Sequence, residues 1–280
     1  MIGDISMKVG FIGFGEVATT ISKGLRDKAV EIYTSLEGRT PRTCSLAEKT
    51  GVNICEDQIE VAKNSDILIS TVTPSQAVEV ARAVGKYSKG VYADINNVSP
   101  KTVEEALSYI ENGKTVDAAI MGSIKRLGFN VPIIVSGSSA IQFMKLNKYG
   151  MNIKVIGPEI GQASTLKMLR SSYTKSVSAL LFESLYSAYK LGLDEELLKS
   201  LEETECPGFR ESAISRITSS AFHAERRAQE LYEILDMISE YSDPMISKAT
   251  AEFFNMLTKK LGKLEKTPED YKNIFERIQK

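Results

Sequence analysis

The sequence has no tryptophan, a single histidine, His223, and only three cysteines, Cys44, Cys55 and Cys206. The cysteines are widely spaced and form no C-x-x-C pair. That argues against a disulfide framework or a zinc site and fits a reducing cytosol. Neither sign of charge is in excess: 35 basic and 36 acidic residues leave a formal net charge of −1. Nucleic acid and an acidic membrane surface therefore have no electrostatic case. No run approaches the roughly 18 apolar residues of a membrane span, and the N-terminus lacks a basic stretch followed by an apolar one. The acidic residues are scattered rather than spaced as metal ligands. What remains is 280 residues, 42% hydrophobic and 25% charged, ordinary for a globular protein of one large or two modest domains. Residues 1–6 read as a short extension, with Met7 as the natural start, and the expected location is cytoplasmic.

The chain is organised around Met7 to Arg26, MKVGFIGFGEVATTISKGLR. The apolar run Val9 to Ile12 has the length of a strand buried on both faces. Gly13, Phe14 and Gly15 follow, then Glu16, Val17 and Ala18, and apolar spacing turns helical through Val17, Ile21 and Leu25. Strand, glycine turn and helix in this order form the G-x-G-x-x-A dinucleotide fingerprint. Gly13 permits the tight turn, and Gly15 lets a diphosphate approach the backbone amides and the positive end of the helix. The second strand, Val30 to Tyr33, closes on Thr34, Ser35 and, a few residues on, Arg39. An NAD enzyme normally places an acid there for the ribose hydroxyls. Hydroxyls and a guanidinium suit a 2′-phosphate instead, so NADP is the expected cofactor. Glu37 would serve as the ribose acid if the register slips.

Strands alternate with helices to about residue 156. Asp66 to Thr71, Val91 to Ile95, Thr115 to Met121, Pro132 to Ser136 and Ile153 to Ile156 read as strands. Helices are expected after Thr73–Pro74, over Lys101 to Ile110 and over Ser138 to Tyr149. This pattern predicts an α/β chain: a Rossmann-type, doubly wound, mainly parallel sheet followed by an all-α C-terminal domain. Ligands of such sheets lie beyond the carboxyl ends of the strands. Gly13–Gly15, Thr34, Thr73–Pro74, Asn96–Asn97 and Gly122–Ser123 all fall there. From Ile160 the chain is helical, beginning with a proline-free stretch to Leu191 whose apolar stripe includes Leu166, Leu169, Tyr173, Val177, Leu180 and Leu181. The expected domains are 1–159, which binds NADP, and 160–280, helical, contributing to the substrate site and to a homodimer.

Four motifs now line up with a known family. GFIGFGEVA, DINNVSP (Asp94 to Pro100), VDAAIMGS (Val116 to Ser123) and GQASTLKMLRS (Gly161 to Ser171) resemble, in order and spacing, segments of the β-hydroxyacid dehydrogenases. That group contains 3-hydroxyisobutyrate dehydrogenase and is related to 6-phosphogluconate dehydrogenase. The resemblance covers about residues 7–190. HAERRAQE, from His223 to Glu230, resembles a subgroup with a poorly characterised C-terminal domain. The resemblance implies a dehydrogenase of small hydroxyacids in which Lys167 is the catalytic general acid and base. It also implies that Met121, Gly122, Ser123, Arg170 and Ser171 face the substrate. The chain departs from the family at Met121, Ser123 and Ser171, where relatives have serine, glycine and asparagine, and at Asn96, where they have serine.

Hydride chemistry gives Lys167 its task. When hydride reaches a carbonyl carbon, negative charge grows on oxygen, and an ammonium within hydrogen-bond reach stabilises it and donates the proton. His223 is the other possible donor. Two further readings compete: an imine reductase resembling pyrroline-5-carboxylate reductase, and a regulator that holds NADP without turnover. A methyltransferase fits poorly, because strand two lacks the acid that adenosine ribose usually requires.

Overall fold

The computed structural model describes residues 6–279; the short extension expected at 1–6 lies, except for Ser6, outside the described residues. The chain divides into two compact units, 1–167 and 168–280. In the first, eight strands form one sheet: β1 (Lys8–Ile12), β2 (Glu31–Ser35), β3 (Asn53–Cys55), β4 (Ile67–Ser70), β5 (Val91–Asp94), β6 (Thr115–Ile120), β7 (Pro132–Ser136) and β8 (Asn152–Gly157). Their spatial order is β3-β2-β1-β4-β5-β6-β7-β8. Every pairing is parallel except β6 with β7. The doubly wound, mainly parallel sheet expected from the sequence is the sheet observed. The exception has a simple cause: only residues 121–131 join β6 to β7, and a parallel return needs a crossover of a dozen residues or more.

The central strands are apolar along their whole length because both faces are covered. Alternation then sends neighbours to opposite layers. Ile67 and Ile69 pack with Val9, Phe11 and Ile32 on one face, while Leu68 packs with Ile12, Val61, Val80 and Tyr92 on the other. The helices of this unit are α1 (Glu16–Arg26), α2 (Pro41–Thr50), α3 (Gln58–Asn64), α4 (Ala77–Val84), α5 (Pro100–Ser108), α6 (Ile124–Leu127) and α7 (Ala140–Phe143). The segment between β2 and β4 holds α2, β3 and α3, elements that hydrophobic periodicity alone leaves unread. End signals mark them instead. Thr40 accepts from the Thr43 amide ahead of Pro41, and Gly51 closes α2 at φ +66°. Asp57 caps α3 by accepting from the Glu60 amide at 2.7 Å. The single helix expected over 138–149 is instead short: α7 gives way to 3-10 turns over Met144–Tyr149.

Helix α8 runs from Gln162 to Leu191, and α9 (Asp194–Thr204), α10 (Phe209–Phe222), α11 (Ala224–Ile238), α12 (Met245–Leu261) and α13 (Tyr271–Gln279) complete the chain. The all-helical C-terminal part is as expected. Its core gathers Phe182, Leu185, Ile217, Leu231, Phe254 and Phe275, with Phe182 and Phe275 edge to face at 5.3 Å. The apolar residues of α8 divide between two faces. Met168, Leu181, Phe182 and Leu185 enter the helical core, whereas Leu166, Leu169, Tyr173 and Leu180 are exposed. The helix is apolar on two faces, and one of them is uncovered.

Candidate active site

The turn after β1 is restricted at one glycine and open at the next. Gly13 adopts φ +85°, and a Cβ there would lie 2.6 Å from the carbonyl oxygen of Thr71, so no other residue fits. The Thr71 hydroxyl donates to the Gly13 carbonyl at 2.6 Å, tying the end of β4 to the turn. At Gly15 a Cβ would meet nothing within 4 Å. Gly15 also precedes α1 without any side-chain cap, so no capping side chain occupies the first-turn amides of Glu16 and Val17. Free amides, a helix N-terminus and room beside the backbone fit a diphosphate. Phe14 contributes only backbone, since its ring is buried edge-on to Phe11 at 6.2 Å. The Glu16 carboxylate, half exposed, lies 3.8 Å from the Lys125 ammonium.

Two of the expected cofactor contacts are corrected by the structure. Thr34 is inside the ladder, paired with Phe11, fully buried, and its hydroxyl donates to the Phe11 carbonyl at 2.9 Å. It has nothing left to offer a phosphate. Asn96 is likewise buried and its amide is spent on structure. It donates to Asp94 at 2.7 Å and Ser70 at 2.8 Å, and accepts from the Val72 amide at 2.7 Å. It clamps the ends of β4 and β5. Burial pushes the Asp94 carboxyl up to about 6 despite the two Asn96 hydrogen bonds that oppose it. Asn97, at φ +61°, is the exposed member of the pair.

Arg39 differs from Thr34 and Asn96. It is half-buried in the turn after β2, and its Nε is buried with no hydrogen-bond partner, the orphaned donor a 2′-phosphate would satisfy. Ser35 is buried, and its hydroxyl accepts from the Glu37 amide at 3.3 Å, while Glu37 itself is exposed. Thr73 and Pro74 are exposed beyond β4, and Met121, Gly122 and Ser123 follow β6 with Gly122 and Ser123 exposed.

Lys167 lies in the second turn of α8 and is half-buried. What fixes that turn was not expected from the sequence. Asp117, fully buried on β6, accepts from the Ser164 amide at 2.9 Å and from the Ser164 hydroxyl at 2.7 Å. Ser136 on β7 accepts from the Ala163 amide at 3.1 Å and reaches Asp117 at 3.5 Å. Sheet residues thus cap the first turn of α8, doing for its orphan amides what an N-cap side chain does locally. The signal was present: an aspartate inside the otherwise apolar TVDAAI needs buried partners.

Arg170 is exposed and Ser171 half-buried one turn beyond Lys167. A second residue missed from the sequence is Lys175, buried, whose ammonium donates to the Ser171 hydroxyl and pairs with Glu230 at 2.8 Å. Burial lowers its pKa, with Glu230 opposing. Lys167, Ser171 and Lys175 stand at i, i+4 and i+8, on one face of the helix, and that spacing was the available clue. His223 falls between α10 and α11, its ring edge-on to Phe222 at 4.7 Å. Among the described residues no group of three His, Cys, Asp or Glu is placed to hold a metal.

A family described as NADP oxidoreductase, coenzyme F420-dependent, matches residues 8–97, and a domain of unknown function matches residues 188–257. A solved structure, reported as a conserved protein of unknown function structurally similar to 3-hydroxyacid dehydrogenases, is 51% identical. The alignment spans 90% of this chain and 97% of that one, with a TM-score of 0.82. The chain belongs to the β-hydroxyacid dehydrogenase-like family. An uncharacterised 28.5 kDa protein of Methanothermus fervidus is 48% identical over 89% of this chain and 98% of its own length. The 2-(hydroxymethyl)glutarate dehydrogenase of Eubacterium barkeri is 26% identical, over 70% of this chain and 68% of its own. The resemblance drawn from the four motifs is thereby borne out at the level of the family.

Proposed function

We propose that this protein is an NADP-dependent oxidoreductase acting on the CH–OH group of a small hydroxyacid, or on the matching carbonyl in reverse. Lys167 is its general acid and base. The observation that carries the reading is Lys167 itself, placed on a helix whose first turn is pinned to the sheet by Asp117 and Ser136, one turn before Arg170 and Ser171. Family membership supports a dehydrogenase, and the named activity of the Eubacterium relative supports an acid substrate. A bound nicotinamide would supply or receive the hydride. Lys167 then holds the proton: as ammonium it donates to the oxygen on which charge develops, and as amine it takes the proton back. By the family resemblance, Met121, Gly122 and Ser123 after β6 and, separately on α8, Arg170 and Ser171 are the residues that would contact the substrate. The test is NADPH oxidation by purified protein over a panel of small keto acids, aldehydes and cyclic imines. Turnover with imines alone would make it an imine reductase, and tight NADPH binding with no turnover a regulator.

NADP over NAD rests on Arg39 and its unpartnered Nε. Arg39→Ala should weaken NADPH binding by roughly 1.5–3 kcal/mol, the range for a hydrogen bond to a charged group, and leave NADH nearly unchanged. Equal titration of both cofactors by the unaltered protein would point to Glu37 as a ribose acid.

A cytoplasmic homodimer completes the reading. Among the described residues no helix is long and apolar enough to cross a membrane. Leu166, Leu169, Tyr173 and Leu180, exposed along α8, form an apolar face suited to a second copy. Light scattering at micromolar concentration should give twice the chain mass of 30.8 kDa, and Leu169→Glu should halve it. A monomer before substitution would refute the dimer.

A further inference from the structure

One part of the helical unit brings Lys175, Arg216, Arg226 and Arg227 together around Glu230. Glu230 is shared between Lys175, at 2.8 Å, and Arg226, at 3.6 Å. Glu233, the next acid along α11, has its carboxyl pushed up by burial and then by Glu230. Among the described residues neither Arg216 nor Arg227 forms an ion pair. Arg227 is half-buried on α11, its guanidinium over the Phe254 ring at 5.6 Å. It donates to hydroxyls only, to Ser220 at 2.9 Å and Ser219 at 3.2 Å, both on α10. Arg216 sits one turn earlier on that face of α10 and reaches the Ser178 hydroxyl at 3.5 Å.

This arrangement costs stability. Desolvation first, then the charges of Arg226 and Arg216, push the Arg227 guanidinium down to about 10, with Glu230 opposing. A partly buried cation without a matched carboxylate is less stable than an apolar side chain of similar shape. Two hydroxyls use two of the five donors a guanidinium carries. Three N–H groups remain, and one edge of a guanidinium can hold an oxyanion through two of them.

We propose that Arg227 and Arg216, with the Ser219 and Ser220 hydroxyls, form an oxyanion-binding subsite for a doubly charged group such as phosphate. The group is either a second acidic function of the substrate or a free anion bound as an effector. The first alternative rests on the dehydrogenase reading; the second does not.

Inorganic phosphate is the probe, measured by thermal shift and calorimetry against chloride at equal ionic strength. The unaltered protein should be stabilised by phosphate in a saturable way. Arg227→Met and Arg216→Gln should each weaken phosphate binding at least tenfold, while Arg210→Gln, whose arginine pairs with Glu195 and Glu202, should not. Without phosphate, Arg227→Met should melt no lower than the unaltered protein, which a purely structural arginine would not allow. No phosphate-specific stabilisation, or a response kept in both variants, overturns the subsite. Turnover separates the two sources. A drop in kcat/KM of Arg227→Met confined to phosphorylated hydroxyacids identifies a substrate group, whereas phosphate binding with unchanged kcat/KM identifies an effector. If no hydroxyacid turns over while phosphate still binds, the dehydrogenase reading fails and the subsite stands.

Discussion

Lys167→Ala should bind NADPH with unchanged affinity and turn over any substrate about 10²–10⁴ more slowly, the usual contribution of a positioned acid or base. The two halves of that result come from different parts of the chain. In the proposed reading cofactor affinity comes from the open Gly15 turn, the uncapped start of α1 and Arg39, none of which includes Lys167. The proposed proton donor is on α8. Lys167→Arg should be nearly as slow, because a guanidinium stays charged and gives up its proton poorly. Gly15→Val supplies the opposite pattern, since its branched side chain would fill the open space at the turn and block the cofactor. Stopped-flow NADPH binding together with steady-state turnover separates the cases. If Lys167→Ala keeps near-normal turnover while His223→Ala abolishes it, the lysine assignment is wrong and the proton chemistry belongs to the helical unit.

Much of the fold was legible because parallel strands buried on both faces read as short apolar runs. Their order along the chain then predicts a doubly wound sheet. The elements that stayed hidden, α2, β3 and α3, are short and lie at the sheet edge. There, caps such as Thr40 and Asp57 carry more signal than periodicity. The tight turn after β1 was legible at Gly13, where φ +85° requires glycine. A polar residue at a strand end reads as facing a ligand, and at two positions it does not. Thr34 and Asn96 have the right chemistry and the right place in the chain, but their hydrogen bonds go to Phe11, Asp94, Ser70 and Val72. A sequence shows what a side chain can donate and not whether a neighbouring strand has already taken it. The roles of Asp117 and Lys175 stay hidden for the converse reason, since their partners are 47 and 55 residues away.

Asp117→Leu should lower the free energy of unfolding by roughly 2–6 kcal/mol, because it strands the amide and hydroxyl of Ser164 in the interior, each costing about 1–3 kcal/mol. The loss should exceed that of Ser164→Ala, which removes one hydroxyl and leaves the carboxylate its amide partner. Asp117→Asn separates stability from catalysis. One of its two side-chain positions still accepts, while the other becomes a donor facing Ser164, so the fold should survive with the first turn of α8 less firmly held. Since Lys167 follows Ser164 by three residues, a loosened turn should reduce kcat about tenfold, an error of position rather than of chemistry. NADPH affinity should not move, because the Gly13–Gly15 turn is on the far side of β4 and β5. Chemical denaturation with an unchanged m-value, alongside kcat and NADPH titration, reads all three effects. Stability of Asp117→Leu equal to the unaltered protein would show that α8 is held by its packing alone, and the sheet-borne cap would then have no part in positioning the lysine.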